Sequence, residues 1–143
     1  MYSEMKKPLK EDVKKILADP INEKYRDHIT EEKIEVLCQD PYSAVFIVGG
    51  EPVVVGGLIF YWGGRGKIWS LFASIEKHKF VTVFRLMKKY IDSLDVKRIE
   101  LDVPYNNDNF KRRAKMLGFE KYADRARCFN AFGEDCTLFE RIK

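Results

Sequence analysis

The sequence predicts a mixed α/β fold, an antiparallel meander followed by a β-α-β-α-β-β order. Three observations predict it. Strand-like residues cut by glycines run from 43 to 73. A long stretch of helical period follows directly, and an alternating strand follows that stretch.

Residues 9–17 place Leu9, Val13, Ile16 and Leu17 on one helical face, and Asp19-Pro20 stops the helix. A second helix is expected over 30–39. Thr30 suits its N-cap, Glu31 and Glu32 suit the positive helix end, and Ile29 with Ile34 fits a hydrophobic staple. Asp40-Pro41 closes it. The period then changes to that of strands. Residues 43–48 and 53–62 read as a hairpin around a Gly49-Gly50-Glu51-Pro52 turn. Gly56-Gly57 inside the second run marks a bulge or a close backbone approach. Gly63-Gly64-Arg65-Gly66 is the next turn, and 67–73 the third strand.

The long helix is expected over 77–94, where Phe80, Val83, Phe84, Met87, Ile91 and Leu94 share a face. In the strand over 96–103, Ile99, Leu101 and Val103 alternate with Arg98, Glu100 and Asp102. A right-handed crossover would make this strand a parallel neighbour of 67–73. Asn106 and Asn107 read as turn formers. A short helix over 108–117 is closed by Gly118. Strands near 119–132 and 136–142 are joined by Gly133-Glu134-Asp135, and a further short strand is expected at 5–8.

The 143 residues are 45% hydrophobic, 13% aromatic and 34% charged, which suits one folded domain over 1–143 and argues against a disordered chain. No run reaches the roughly 18 to 20 apolar residues of a membrane helix. The charged residues 1–15 carry no signal-peptide core, so a reducing, cytoplasmic location is expected and a membrane is not. Three cysteines without a C-x-x-C spacing, and two distant histidines, argue against a disulfide scaffold and a zinc cluster. Cys38, Cys128 and Cys136 are expected to be small buried hydrophobes.

The element order, the strand running straight into the long helix, Asn107 ahead of a short helix and Leu117-Gly118-Phe119-Glu120 together resemble the GNAT acetyltransferase fold. A narrower resemblance is carried by Ile68-Trp69-Ser70-Leu71, Glu76-Lys77-His78-Lys79, Arg85, Asn107 and Leu117-Gly118-Phe119. These segments are similar to a GNAT-like bacteriophage group that includes internal virion protein A.

The first resemblance implies an acyl-CoA-dependent N-acetyltransferase, with acetyl-CoA as co-substrate held between two splayed parallel strands. Backbone groups around Leu71, Phe72 and Ala73 would meet the pantetheine and polarise the thioester carbonyl. Amides from Ser74 to Lys79 would receive the pyrophosphate at the helix start, helped by Lys77, His78 and Lys79. Asn107 completes the expected cofactor set. The sequence departs from the family at three points. Residues 74–79 contain no glycine, and Glu76 would repel a phosphate. The family's catalytic Tyr falls at Ala114, and the strand 67–73 carries no Glu. Glu76, His78 and Tyr105, with Tyr61, are the available acid–base substitutes, and no metal is called for.

Each of these residues has a plainer reading. Glu76 and His78 suit the surface of a helix start, and Tyr61, Trp62 and Trp69 suit core or strand-edge positions. The acceptor would be a small-molecule or protein amine. The phage resemblance implies instead a non-catalytic virion or assembly protein with phage structural partners, in the host cytoplasm or the virion. Between Lys111 and Arg127, seven basic residues face only Glu120 and Asp124. Aromatic interleaving there is thin, which suits a solvated face better than a nucleic-acid platform.

Overall fold

The computed structural model describes residues 1–143. Seven strands form one sheet: β1 (Ser3–Lys6), β2 (Ala44–Val48), β3 (Glu51–Trp62), β4 (Arg65–Phe72), β5 (Arg98–Pro104), β6 (Glu120–Ala126) and β7 (Cys136–Ile142). Their order across the sheet is β1-β2-β3-β4-β5-β7-β6. Five α-helices accompany them: α1 (Lys10–Leu17), α2 (Glu23–Arg26), α3 (Glu31–Gln39), α4 (Phe80–Ser93) and α5 (Asp108–Met116). Short 3-10 turns lie at Pro20–Asn22 and Lys77–Lys79. The chain groups into two compact units, Met1–Leu58 with Trp69–Leu94, and Ile59–Ile68 with Asp95–Lys143.

In the first unit, β1, β2 and β3 are antiparallel neighbours. All five residues of β2 are buried, because both faces of this strand are covered. Val45, Ile47, Val55 and Leu71 join Val13, Ile16 and Leu17 of α1 and Ile34 of α3 in one core. Ala44, Phe46, Val48 and Val54 point the other way and join Val83 of α4. The alternation along β2 therefore sorts its side chains between two cores, as the two-residue strand period requires.

The β2–β3 turn is tighter than expected. Glu51 and Pro52 belong to β3, paired with Val48 and Ile47. Only Gly49 and Gly50 lie at the tip, at φ 62° and 81°, the positive values that a two-residue type I′ turn demands. Gly56 and Gly57 mark a close approach. A Cβ on Gly56 would lie 2.8 Å from the Trp69 carbonyl oxygen, and one on Gly57 would lie 2.8 Å from the indole Nε1 of Trp69. Thr30 caps α3 by accepting from the Lys33 amide, as expected. Leu9 precedes α1 and is exposed, so the buried face of that helix is Val13, Ile16 and Leu17. The short α2 after Pro20 carries no buried residue, and without an apolar stripe it left no periodic signal. The long helix begins at Phe80, since Lys77–His78–Lys79 form a separate 3-10 turn.

In the second unit, β4 and β5 are parallel over Arg65↔Arg98, Gly66↔Ile99 and Lys67↔Glu100. Antiparallel β7 pairs with β5 on its other side, and β6 is an edge strand. Ile99, Leu101 and Val103 are buried, as their alternation predicts, and Leu101 lies opposite the fully buried Phe139. Helix α5 ends in a Schellman arrangement. Gly118, at φ 92°, donates to the Lys115 carbonyl, and Phe119 donates to that of Ala114, both at 3.0 Å. Strand β6 stops at Ala126 rather than near Phe132. The loop beyond it is folded by Asn130, whose Oδ1 accepts from the amides of Phe132 and Glu134. Cys136 is fully buried and Cys38 half-buried, but Cys128 is exposed in this loop at φ 48°. The loop carries no core to receive the thiol. No helix is long and apolar enough to cross a membrane.

Candidate active site

The end of β4 and the four residues after it connect the sheet to α4. Leu71 is buried and packs into the α1 core, while Phe72 is half-buried on the α4 side. The Ala73 amide donates to the Val53 carbonyl at 2.8 Å. The Phe72 carbonyl accepts from Nδ2 of Asn22 at 2.7 Å, and the same nitrogen donates to the Ile16 carbonyl at 2.8 Å. Asn22 is only 2% exposed, so its amide is a structural tie satisfied from both sides.

Ser74 comes next, and both its donors are engaged. Its amide donates to Oδ2 of Asp19 and its hydroxyl to Oδ1 of Asp19, each at 2.9 Å. Oδ1 also accepts from the Ile21 amide at 3.1 Å. The Ser74 amide bond, above all, holds the Asp19 carboxyl below the usual carboxylate range. Burial opposes it, and the Ile21 amide, the Ser74 hydroxyl and the Arg26 charge support it.

The 3-10 turn starts at Glu76. Its first bonds run from the Lys79 amide to the Glu76 carbonyl, at 2.9 Å, and from the Phe80 amide to the Lys77 carbonyl. The amides of Lys77 and His78 therefore lie ahead of the helical ladder, where backbone donors have no helical acceptor. Glu76 and His78 are brought together, with Oε2 3.5 Å from Nδ1 of His78 and Oε1 3.7 Å from Nζ of Lys79. The Glu76 and His78 side chains are about two-thirds exposed, at 66% and 61%, whereas that of Lys79 is 15% exposed. Lys79 lies along Gly49, where an added Cβ would meet its Cε and Nζ at 3.4 Å.

Tyr105 and Asn107 belong to the second unit. The Tyr105 ring carries two cations, Nζ of Lys111 and the Arg125 guanidinium, each 4.3 Å from its centroid. Arg125 is further fixed to Oδ2 of Asp135 at 2.8 Å. Asn107 caps α5, its Oδ1 accepting from the Phe110 amide at 3.0 Å. The basic stretch is thus partly spent on internal partners. Tyr61 and Trp62 are exposed rather than core residues, and the Arg65 guanidinium lies 4.7 and 4.8 Å from their rings.

Sequence reasoning passed over several polar groups beside these elements. Asp19 read only as a helix stop, and Asn22 carried no signal. Glu100 stood only among the charged residues that alternate with Ile99, Leu101 and Val103, yet it is 5% exposed. It accepts from Nε and Nη2 of Arg65 and, at 3.0 Å, from Nε of Arg98. These guanidinium bonds, Arg65 first, keep its carboxyl below the usual range despite burial. Lys67 pairs with Asp102 one step along the same strands. The usable signal was the complement of Arg65 and Lys67 with Glu100 and Asp102, legible once β4 and β5 are known to be parallel.

No protein-family model matches the chain, and no curated relative matches it. Solved structures do match. The Ard1 protein of Thermoplasma volcanium superposes with a TM-score of 0.78 at 19% identity, covering 99% of this chain and 98% of that one. An acetyltransferase of the GNAT family from Bacillus anthracis gives 0.69 at 14% identity, covering 99% and 95%. An aminoglycoside acetyltransferase, AAC(6')-Ib, in complex with coenzyme A and kanamycin, gives 0.68 at 15% identity, covering 99% and 95%. At such identities the likeness is one of fold. With its seven-stranded mixed sheet and one parallel strand pair, the chain has the fold of the GNAT acetyltransferases.

Proposed function

We propose that the chain is an acyl-CoA-dependent N-acetyltransferase acting as a single GNAT-like domain on an amine acceptor. The observation that carries this reading is the β4–α4 connection. A strand of the GNAT fold runs through four residues into a turn whose leading amides, those of Lys77 and His78, are unclaimed by the helix. The fold likeness to acetyltransferases, one of them in complex with coenzyme A, supports it.

The residues present fit an acyl-CoA pyrophosphate in charge and donor type. Two backbone donors, the Lys77 and His78 amides, lie ahead of the helical ladder in a turn of three basic residues, and Glu76 is the one anion of the turn, drawn toward His78 and Lys79. The absence of glycine narrows the approach, so the side chains of Lys77, His78 and Lys79 carry more of the recognition than in a glycine loop. Acyl-CoA, when bound, supplies an activated acetyl thioester. In this reading Phe72 and Ala73 are the residues beside its pantetheine and Lys77 to Lys79 those at its phosphates, since Leu71 packs into the α1 core and both donors of Ser74 are held by Asp19. A pantetheine arm separates the pyrophosphate from the thioester, so Glu76 and His78, in the turn assigned to the phosphates, act at the nucleotide end and not as bases for the acceptor ammonium.

The test is calorimetric titration of the purified protein with acetyl-CoA and with CoA, beside a melting curve. Binding should raise the melting temperature by mass action. Lys77→Pro deletes one of the two leading donors at a position proline tolerates, because Glu76 before it is already extended at ψ 139°. It should abolish binding and leave the fold intact, whereas Lys77→Ala should only weaken binding. Unchanged binding in Lys77→Pro places the nucleotide elsewhere. No binding by the unaltered chain at millimolar ligand overturns the enzyme reading.

A further inference from the structure

We infer that Asp19 is a positioning residue for the acyl-CoA loop, acting through Ser74 and not on the nucleotide. This rests on the acyl-CoA reading of residues 74–79. The chain must leave β4 at Phe72, turn, and enter the 3-10 turn at Lys77, and it does so without a glycine and without a positive φ between 73 and 79. Every residue in that turn carries a Cβ and a restricted backbone. A loop of this kind has many ordinary conformers open to it, and something outside must select one.

Asp19 does so. One carboxylate takes both the amide and the hydroxyl of Ser74, at 2.9 Å each, which fixes the residue's position and its side-chain rotamer together. Charge-assisted bonds of this type are the stronger class of hydrogen bond. Asp19 is itself anchored. Arg26 reaches back from α2 and donates to the carbonyls of Leu17, Ala18 and Asp19 at 2.7, 2.8 and 3.0 Å. Asn22 grips the Phe72 carbonyl two residues before Ser74. The segment after α1 thus holds the exit of β4 at two points, Phe72 and Ser74, and the free amides of Lys77 and His78 follow from a fixed start. Asp19 is the wrong group to meet a phosphate. It would compete with that anion for the same two hydrogens, so its role is to shape the loop.

The experiment compares the unaltered chain with Asp19→Ala, Asp19→Asn and Ser74→Ala. The two readouts are acetyl-CoA titration and amide hydrogen exchange over 73–80. Thr30→Ala serves as a control that loses a helix cap away from the loop. Asp19→Ala should weaken acetyl-CoA binding about tenfold or more and speed exchange in the loop by a similar factor. Asp19→Asn and Ser74→Ala each keep part of the grip and should fall between, and they carry the test if Asp19→Ala does not fold. Thr30→Ala should lose stability with no change in affinity. Unchanged exchange in the variants overturns the clasp. Faster exchange with unchanged affinity overturns the positioning role. Absence of acetyl-CoA binding by the unaltered chain overturns the acyl-CoA reading itself, which the exchange data report separately from the clasp.

Discussion

Gly57→Ala tests the packing of the first unit at its tightest point. The new Cβ would lie 2.8 Å from Nε1 and 3.0 Å from Cε2 and Cζ2 of Trp69, where ordinary contact begins at 3.4 Å. The indole is a rigid ring packed against the α1 core and has no flexible end to swing away. Relief must come from a shift of the ring or of the strand, and such overpacking costs about 1 to 3 kcal/mol. Against it stands the lower unfolded-state entropy of alanine, worth about 0.4 to 1 kcal/mol. The net loss should be about 0.5 to 2 kcal/mol, read as a lower urea midpoint with unchanged slope. Gly63→Ala is the control, since nothing lies within 4 Å of its Cβ and its φ is not positive. It should be neutral or slightly stabilising. Replacing Trp69 by Leu removes the ring, so Gly57→Ala should then stabilise by about 0.4 to 1 kcal/mol, giving a coupling of about 1 to 3 kcal/mol in the double-mutant cycle. A Gly57→Ala protein as stable as the original, or strictly additive double-mutant energies, would refute the close-approach reasoning.

Two further outcomes are expected from the second unit. Glu100→Gln leaves Arg65 and Arg98 facing a neutral amide. Their side chains are 32% and 31% exposed and can still reach water, so the loss should be about 2 kcal/mol, below the about 3 to 5 kcal/mol of a fully buried broken pair. Because the Glu100 carboxyl is depressed in the folded protein, its contribution is complete above the ordinary carboxylate range. That contribution is lost as pH falls through the depressed value. The acid limb of a stability–pH curve should therefore flatten in Glu100→Gln. Phe119 is 2% exposed, and Phe119→Ala should cost about 3 to 5 kcal/mol by chemical denaturation; a negligible change would remove it from the core.

Much of the fold was legible in the sequence because its signals are local. Thr30 caps α3, Gly118 ends α5, and Ile99, Leu101 and Val103 alternate into the core, each for a reason contained within a few residues. The strand–helix–strand order carries the parallel pairing of β4 with β5, since a crossover of that length has one favoured hand. Local signals were weaker at element ends. Glu51 and Pro52 look like turn residues but pair in β3, because two glycines at positive φ suffice to reverse the chain. Lys77 to Lys79 have helical composition yet form a separate 3-10 turn ahead of α4, whose Lys79 amide bonds the Glu76 carbonyl three residues back.

The candidate site divides in the same way. Residues 74–79 could be singled out from sequence because the resemblance to the GNAT fold points to the connection between a strand and the following helix, and element order locates that connection. What that backbone is held by could not be named. Asp19 lies 55 residues from Ser74, and Asn22 lies 50 from Phe72. Arg65 and Glu100 meet only because their strands are parallel in one particular register. The sequence by itself determined which segments become helix or strand and in what order they follow, since period, caps and glycines act over a few residues. Tertiary structure alone decided which polar side chains are buried and whom they meet. A buried carboxylate or amide is acceptable only where distant donors converge on it, and that convergence is a property of the packed sheet, not of any short stretch of chain.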